Sequence, residues 1–152
     1  MQRRSFLKKA TIGAGVAAIG APAIAQSLPT LNWRLVSSFP KSLDTLIGTP
    51  EIFANILRKA TDGKFNVKVF AAGEIVPALQ VLDAVQNGTV ECGHTASYYY
   101  IGKNSAFMFD TAAPFGMTAR QQSAWMLQGN GMKLIRELYA SYNIVNFVGG
   151  QT

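Results

Sequence analysis

Between Leu31 and Ala96 the apolar residues change period four times, and this order restricts the fold more than any other feature of the chain. In LNWRLVSSF, Leu31 to Phe39, the residues Leu31, Trp33, Leu35 and Ser37 share one side and Val36 lies opposite. That period of two predicts a strand ending at Ser37-Ser38, before Pro40 breaks it. Thr49-Pro50-Glu51 then offers a hydroxyl N-cap, a proline at the first helical position and an acid in the first turn. Ile52, Phe53, Ile56, Leu57 and Ala60 follow at helical spacing, which predicts a buried stripe closed by Asp62-Gly63. KFNVKVFA, Lys64 to Ala71, returns to period two. A second helix is expected from Pro77, with Leu79, Leu82 and Val85 buried and Asn87-Gly88 as its end. TVECGHTA, Thr89 to Ala96, reads as the third strand.

A β-α-β-α-β order implies a parallel sheet with right-handed crossovers, so the fold class is α/β with a parallel-dominated sheet. Further on, FMFDTAAPF fits no single period. Thr118 to Tyr142 reads as helix on either side of a break at Gly129-Asn130-Gly131, and NIVNFVGG, Asn143 to Gly150, as a fourth strand.

The chain has 152 residues and a formal net charge of +6. Four of its basic residues, Arg3, Arg4, Lys8 and Lys9, precede a mild apolar stretch and the small residues Ala23-Ile24-Ala25. Arg3-Arg4-Ser5-Phe6-Leu7-Lys8 has the pattern of a twin-arginine export signal with cleavage after Ala25. The expected domains are therefore a signal peptide over 1–25 and a binding lobe over 26–152. Without the signal, ten basic residues stand against eight acidic ones and no basic cluster remains. The electrostatic footprint of a nucleic-acid partner is lost. Cys92 is the only cysteine, which excludes an internal disulfide.

No catalytic set can be assembled from the sequence. His94 and Cys92 lie two apart on one strand, but a metal site needs three or four ligands. The patterns G-x-S-x-G, G-x-x-x-x-G-K-[ST] and G-x-G-x-x-G are absent. Glu74 and Asp44 are the acids expected near strand ends.

What the order does assemble is a binding edge, since open parallel sheets take ligands beyond the carboxyl ends of their strands. Ser37-Ser38-Phe39, Ala71 to Glu74 and Ser97 to Tyr100 all fall there. They bring hydroxyls, backbone N–H groups and the run Tyr98-Tyr99-Tyr100, a lining suited to a small ligand. Tyr100, nearest the following glycine, is the one expected to pack inward.

WRLVSSFPKSLDT (Trp33 to Thr45), AAGEIVPALQVLDAVQNGTVECGHT (Ala71 to Thr95) and YYYIGK (Tyr98 to Lys103) resemble the periplasmic solute-binding subunits of tripartite ATP-independent periplasmic (TRAP) transporters, the DctP family. The likeness is closest to the branch that binds 2-oxo acids, and it extends over nearly the whole chain.

The resemblance implies the first lobe of a two-lobed fold. Such a protein captures a small organic acid, such as pyruvate or a related monocarboxylate, in the periplasm. It then delivers the acid to a sodium-coupled permease of the inner membrane. The resemblance also implies Ser38, Phe39, Tyr98 and Tyr99 as ligand-binding residues, no catalytic residue and no nucleic-acid partner. It implies no cofactor or metal within this chain. In the full-length family member a bound metal cation, sodium foremost, is expected, and a homodimer is the assembly to look for. The carboxylate-clamping arginine and the cation ligands are expected beyond Thr152, which makes 26–152 a truncated N-terminal lobe on this reading. Two other readings stay open: an exported α/β enzyme using Glu74 or His94, and a non-functional fragment that aggregates.

Overall fold

The computed structural model describes residues 29–111 and 113–150. The export signal expected over 1–25 lies outside the described residues. Three parallel strands form the sheet: β1 (Leu31–Ser37), β2 (Phe65–Phe70) and β3 (Cys92–His94), in the order β2-β1-β3. Leu31 pairs with Phe65 and Val36 with Phe70, while Leu35 pairs with Cys92 and Ser37 with His94. The two crossovers carry α1 (Asp44–Ala60) and α2 (Val81–Gln86), the latter preceded by one 3₁₀ turn at Ala78–Gln80. After β3 come 3₁₀ turns at Ser97–Tyr100 and Ser105–Phe107. The helices α3 (Met108–Thr111), α4 (Ala119–Gln128) and α5 (Gly131–Ala140) follow. The α/β class and the parallel order match the expectation from the periods.

The first helix departs from expectation. It begins at Asp44, five residues before the expected cap, and Pro50 lies inside it. Thr49 is a helical residue whose hydroxyl bonds back to the Thr45 carbonyl at 3.3 Å, not an N-cap. The helix carries two apolar stripes, and of the one that the periodicity chose only Leu57 turns toward the covered face. Ile47 and Pro50 are buried, with Ala54 and Leu57 half-buried on the same face, whereas Ile52, Phe53 and Ile56 are exposed. Period alone cannot rank two apolar faces of one helix. The Asp62-Gly63 stop does hold: Gly63 has φ of 75° and its N–H bonds the Arg58 carbonyl at 2.8 Å.

The second crossover is tighter than its pattern suggests. Leu79 is exposed, while Val81, Leu82 and Ala84 are buried. Gly88, at φ of 70°, closes α2 by donating to the Val85 carbonyl at 3.0 Å. β3 is shorter than Thr89 to Ala96 for an electrostatic reason. The Arg34 N–H donates to the Glu91 carboxylate at 2.7 Å, so a side chain takes the place of the next ladder partner.

Two apolar clusters hold the layers. Val36, Val81, Ala84 and Val90 lock α2 onto the sheet. Leu82, Tyr100, Phe107, Met126, Ile135 and Tyr139 bind the turns after β3 to α4 and α5. Helix α4 starts at a capping box in which Thr118 Oγ1 accepts the Gln121 N–H and Gln121 Oε1 accepts the Thr118 N–H. The expected break at 129–131 holds, because a Cβ on Gly131 would come within 2.7 Å of the Trp125 ring. The expected fourth strand does not form. Residues 144–150 lie without ladder partners among the described residues, with Ile144 and Val148 packed on the second cluster and Val145 and Phe147 exposed. Among the described residues no helix is long and apolar enough to cross a membrane.

Gly93 sets how closely α2 approaches β3. A Cβ there would sit 2.6 Å from Val81 Cγ1 and 3.1 Å from Val85 Cγ2, and Val81 is buried and β-branched. Gly93→Ala is expected to destabilise the fold by about 1–3 kcal/mol in urea unfolding, the usual cost of overpacking. Gly48→Ala, on a helix position with nothing within 4 Å, is expected to stabilise it by about 0.5–1 kcal/mol.

Candidate functional site

The chain leaves β1 at Ser37 and enters a set of directed hydrogen bonds. Ser38 Oγ lies 2.7 Å from the Ala78 carbonyl oxygen and 2.7 Å from Thr95 Oγ1. A carbonyl only accepts, so it takes the single Ser38 proton, and Thr95 must donate in the second bond. Thr95 Oγ1 then accepts from Tyr100 Oη at 2.8 Å, and Tyr100 Oη accepts the Leu82 N–H at 3.2 Å. Five residues from four segments thus form one chain with every proton assigned. The Ser38 N–H also donates to the His94 carbonyl at 2.8 Å.

Beside this chain lies an aromatic wall. Phe39 is held by its N–H to Ser37 Oγ at 3.1 Å and by its carbonyl, which accepts the Ala72 N–H at 3.1 Å. Its ring centroid is 5.1 Å from the His94 ring and 6.3 Å from the Tyr99 ring. Tyr98 meets Tyr99 edge to face at 4.9 Å and 77°, a favoured geometry for aromatic quadrupoles. Burial and the neighbouring Tyr98 raise the Tyr99 phenol above its ordinary pKa, so it is neutral and a hydrogen-bond donor at pH 7. Burial lowers the His94 imidazole below the ordinary 6.5, which keeps it neutral near pH 7. Ser37 Oγ lies 3.1 Å from His94 Nδ1 and holds the ring by a hydrogen bond whose direction the tautomer sets.

Of the residues expected at the site, Phe39, Tyr98 and Tyr99 come together as this wall. Ser38 is buried and its hydroxyl is engaged on both sides, so it positions the wall from behind. Tyr100 packs inward as expected and contacts Phe107, but its hydroxyl also carries two of the directed bonds. His94, Ser37 and Thr95 were not expected to be organising residues. The register offered a signal, since Ser37 and His94 stand opposite each other on one face.

The ionisable groups nearby are engaged. Glu74 accepts from Lys41 Nζ at 2.6 Å and from the Ala71 N–H at 2.7 Å, and both bonds lower its pKa. Asp44 accepts the Thr45 N–H at the start of α1. Arg34 forks onto Glu91 at 2.8 and 3.1 Å, and with its backbone N–H it holds that carboxyl down at about 2. Burial pushes the Cys92 thiol up to about 11, so it is no nucleophile at neutral pH. Among the described residues, no three of His, Cys, Asp and Glu are grouped to hold a metal ion. A cavity of about 760 Å³ is lined by Phe39 and His94 but by neither Tyr98 nor Tyr99. It runs along β3 and meets the aromatic wall at Phe39.

Residues 36–150 match the family described as bacterial extracellular solute-binding protein, family 7 (DctP). A monocarboxylate 2-oxoacid-binding periplasmic protein of Nostoc sp. (strain PCC 7120) is 48% identical over 158 residues, covering 100% of this chain and 43% of that protein. A TRAP transporter solute-binding protein from Bordetella bronchiseptica RB50, with copurified calcium and picolinate in one active site of a dimer, is 52% identical. It superposes with a TM-score of 0.77 over 79% of this chain and 36% of that one. A TRAP periplasmic solute-binding protein from Pseudoalteromonas atlantica T6c, with bound sodium and pyruvate, is 35% identical. Its TM-score is 0.74, over 78% of this chain and 36% of that one. The chain thus spans less than half the length of these relatives.

Two outcomes test this geometry. Tyr100→Phe keeps the ring but strands the buried Leu82 N–H, and is expected to lower unfolding free energy by about 1–3 kcal/mol. No loss would mean that the bonds do not hold the edge. For His94, a folded pKa below 6.5 means that the unfolded state takes up the proton first as pH falls. Its stabilising contribution is therefore complete above pH 6.5 and declines below it. As the chain's one histidine, it should give a nitrogen NMR titration with a midpoint below 6.5.

Proposed function

Since this chain belongs to the DctP family, family 7 of the bacterial extracellular solute-binding proteins, we propose that it takes part in capturing a small organic acid for a TRAP transporter. The acid is a 2-oxo acid such as pyruvate or a related monocarboxylate, and the recipient is a sodium-coupled permease of the inner membrane. Export to the periplasm by the twin-arginine route, directed by Arg3 and Arg4, belongs to the same reading.

The observation that carries it is the wall of Phe39, Tyr98 and Tyr99 at the carboxyl edge of the parallel sheet, fixed from behind by Ser38 and Thr95. Neutral phenols donate hydrogen bonds to a carboxylate or a 2-oxo group without competing for it as anions. Aromatic faces shield the rest of a small acid from water. The pyruvate of the Pseudoalteromonas protein and the picolinate of the Bordetella protein are both carboxylates, one of them an oxo acid.

Against a hydrolytic or acid–base role stand the engaged states of Glu74 and His94. Arg34, held by Glu91, is not free to clamp a carboxylate. Among the described residues no three of His, Cys, Asp and Glu are grouped for a cation like those of the two relatives.

The test is a chimera in which residues 36–150 replace the matched region of the Pseudoalteromonas protein. It should bind pyruvate in calorimetry. Losing a hydrogen bond to a charged group costs about 1.5–3 kcal/mol, so Tyr98→Phe or Tyr99→Phe, whichever contacts the carboxylate, should weaken binding by about ten- to a hundredfold. Unchanged affinity in the double variant would refute the role of the hydroxyls.

A further inference from the structure

The 3₁₀ turn that carries Tyr98 and Tyr99 is pinned at its far end by Tyr100. Its near end, Ser97, is buried and held by a second cluster, built around Asp110. Ser97 Oγ lies 3.1 Å from Thr111 Oγ1, at the end of α3. One residue earlier, Asp110 Oδ2 accepts Tyr139 Oη of α5 at 3.0 Å. Gln122 of α4, also buried, donates its Nε2 to the Phe109 carbonyl at 2.7 Å and to the Asp110 carbonyl at 3.2 Å. Asp110 is thus tied by its backbone to α4 and by its side chain to α5. The Tyr139 ring meets Phe107 at 5.2 Å and Phe107 meets Tyr100 at 6.0 Å, so both ends of the turn lean on one aromatic stack.

Asp110 is half-buried, and among the described residues it takes part in no ion pair. The elements packed against it carry Tyr98 to Tyr100 on the turn, Arg120 on α4, and Lys133, Arg136, Glu137 and Tyr139 on α5. Tyr139 alone among these side chains bonds the carboxyl. Burial raises the carboxyl above its ordinary pKa, while the Tyr139 and Ser97 hydroxyls favour the anion. A buried charge without a counter-charge costs folding stability. What it supplies is an acceptor with no proton of its own, toward which neighbouring hydroxyls turn.

We propose that Asp110, as a carboxylate, is a positioning residue for the tyrosine wall: beside Ser97 and bonded to Tyr139, it fixes the near end of the 97–100 turn, so that ligand capture depends on its charge. The proposal rests on the wall being the ligand-binding surface. Asp110 itself touches neither Tyr98 nor Tyr99 by a hydrogen bond and acts through Ser97. Asp110→Asn keeps the shape and an acceptor for Tyr139, but it brings donors of its own against Ser97.

The test has one arm without ligand and one with it. In the full 152-residue chain, the Tyr99 and Ile101 amides donate to the Ala96 and Tyr98 carbonyls. Asp110→Asn should speed their hydrogen exchange by roughly tenfold, as the turn opens more readily. Urea unfolding at pH 7 should show no loss of stability, since the charge that burial disfavours is gone. In the chimera carrying residues 36–150, the same substitution should weaken pyruvate binding at pH 7 by about tenfold, the scale of one hydrogen bond to a charged group. The unsubstituted chimera should lose affinity as pH falls through the Asp110 pKa, which lies above the ordinary 3.8. Pyruvate, the stronger acid, stays an anion there. Asp110→Asn should abolish that inflection, and Tyr139→Phe, which removes a donor to the anion, should move it to higher pH. Unchanged exchange at Tyr99 and Ile101 would overturn the proposal, whether or not the chimera binds pyruvate. A loss of affinity matched by a loss of unfolding free energy would overturn it too, by making Asp110 a structural residue. A chimera that never binds pyruvate refutes the ligand reading instead, and the exchange arm then decides whether Asp110 sets the turn.

Discussion

The carboxyl edge of the sheet depends on one directed chain of hydrogen bonds, from the Leu82 N–H through Tyr100, Thr95 and Ser38 to the Ala78 carbonyl. Each hydroxyl has one proton and a fixed use for it, so the chain has a single arrangement. Its donor end lies in the first turn of α2, where a helix has N–H groups without partners. Tyr100 supplies the cap from eighteen residues away, although α2 has no side-chain bond from its own N-cap residue. Its acceptor end lies in the 3₁₀ turn before that helix. The residue after β1, the residue after β3, the turn carrying the tyrosines and the start of α2 are thereby fixed relative to one another. Tyr98 and Tyr99 precede Tyr100 in the same 3₁₀ turn, so anchoring Tyr100 sets the wall that they form.

Behind this edge, β3 is short and closely covered. Gly93 lets Val81 and Val85 approach the strand, and no residue with a Cβ fits there without displacing Val81. Glu91 ends the pairing on the other side by taking the Arg34 N–H. The outcome is a strand with its face against α2, one edge on β1 and the other edge without a partner among the described residues.

Charge has a placing role here. The pairs Arg34–Glu91, Lys41–Glu74 and Lys103–Asp83 all lie at the surface, where solvent screening leaves such pairs little weight in stability. Their consequence is positional. Glu91 stops a strand, Glu74 closes the turn after β2 through the Ala71 N–H, and Asp83 ties α2 to the residues after the tyrosines. With these groups engaged, the wall itself is left with aromatic faces, phenol hydroxyls and the neutral His94 imidazole.

The parallel order of strands and helices was legible in the sequence because period two and period 3.6 are backbone geometry, and Gly63, Gly88 and the 129–131 break are local steric requirements. The gathering of Phe39, Tyr98 and Tyr99 followed from the same order, since parallel strands bring their carboxyl ends to one edge. Other features were decided by tertiary structure alone. The face of α1 that meets the sheet was not readable, because Ile47-Pro50 and Ile52-Phe53-Ile56 are both apolar and only the neighbouring strand distinguishes them. Nor was the role of Ser38, Thr95 and Tyr100, whose bonds join residues up to fifty-seven positions apart. Residues 144–148 make the point most directly. Their composition and alternation are those of a strand, yet a strand exists only when a neighbour takes its hydrogen bonds, and that neighbour is a fact of the assembled sheet.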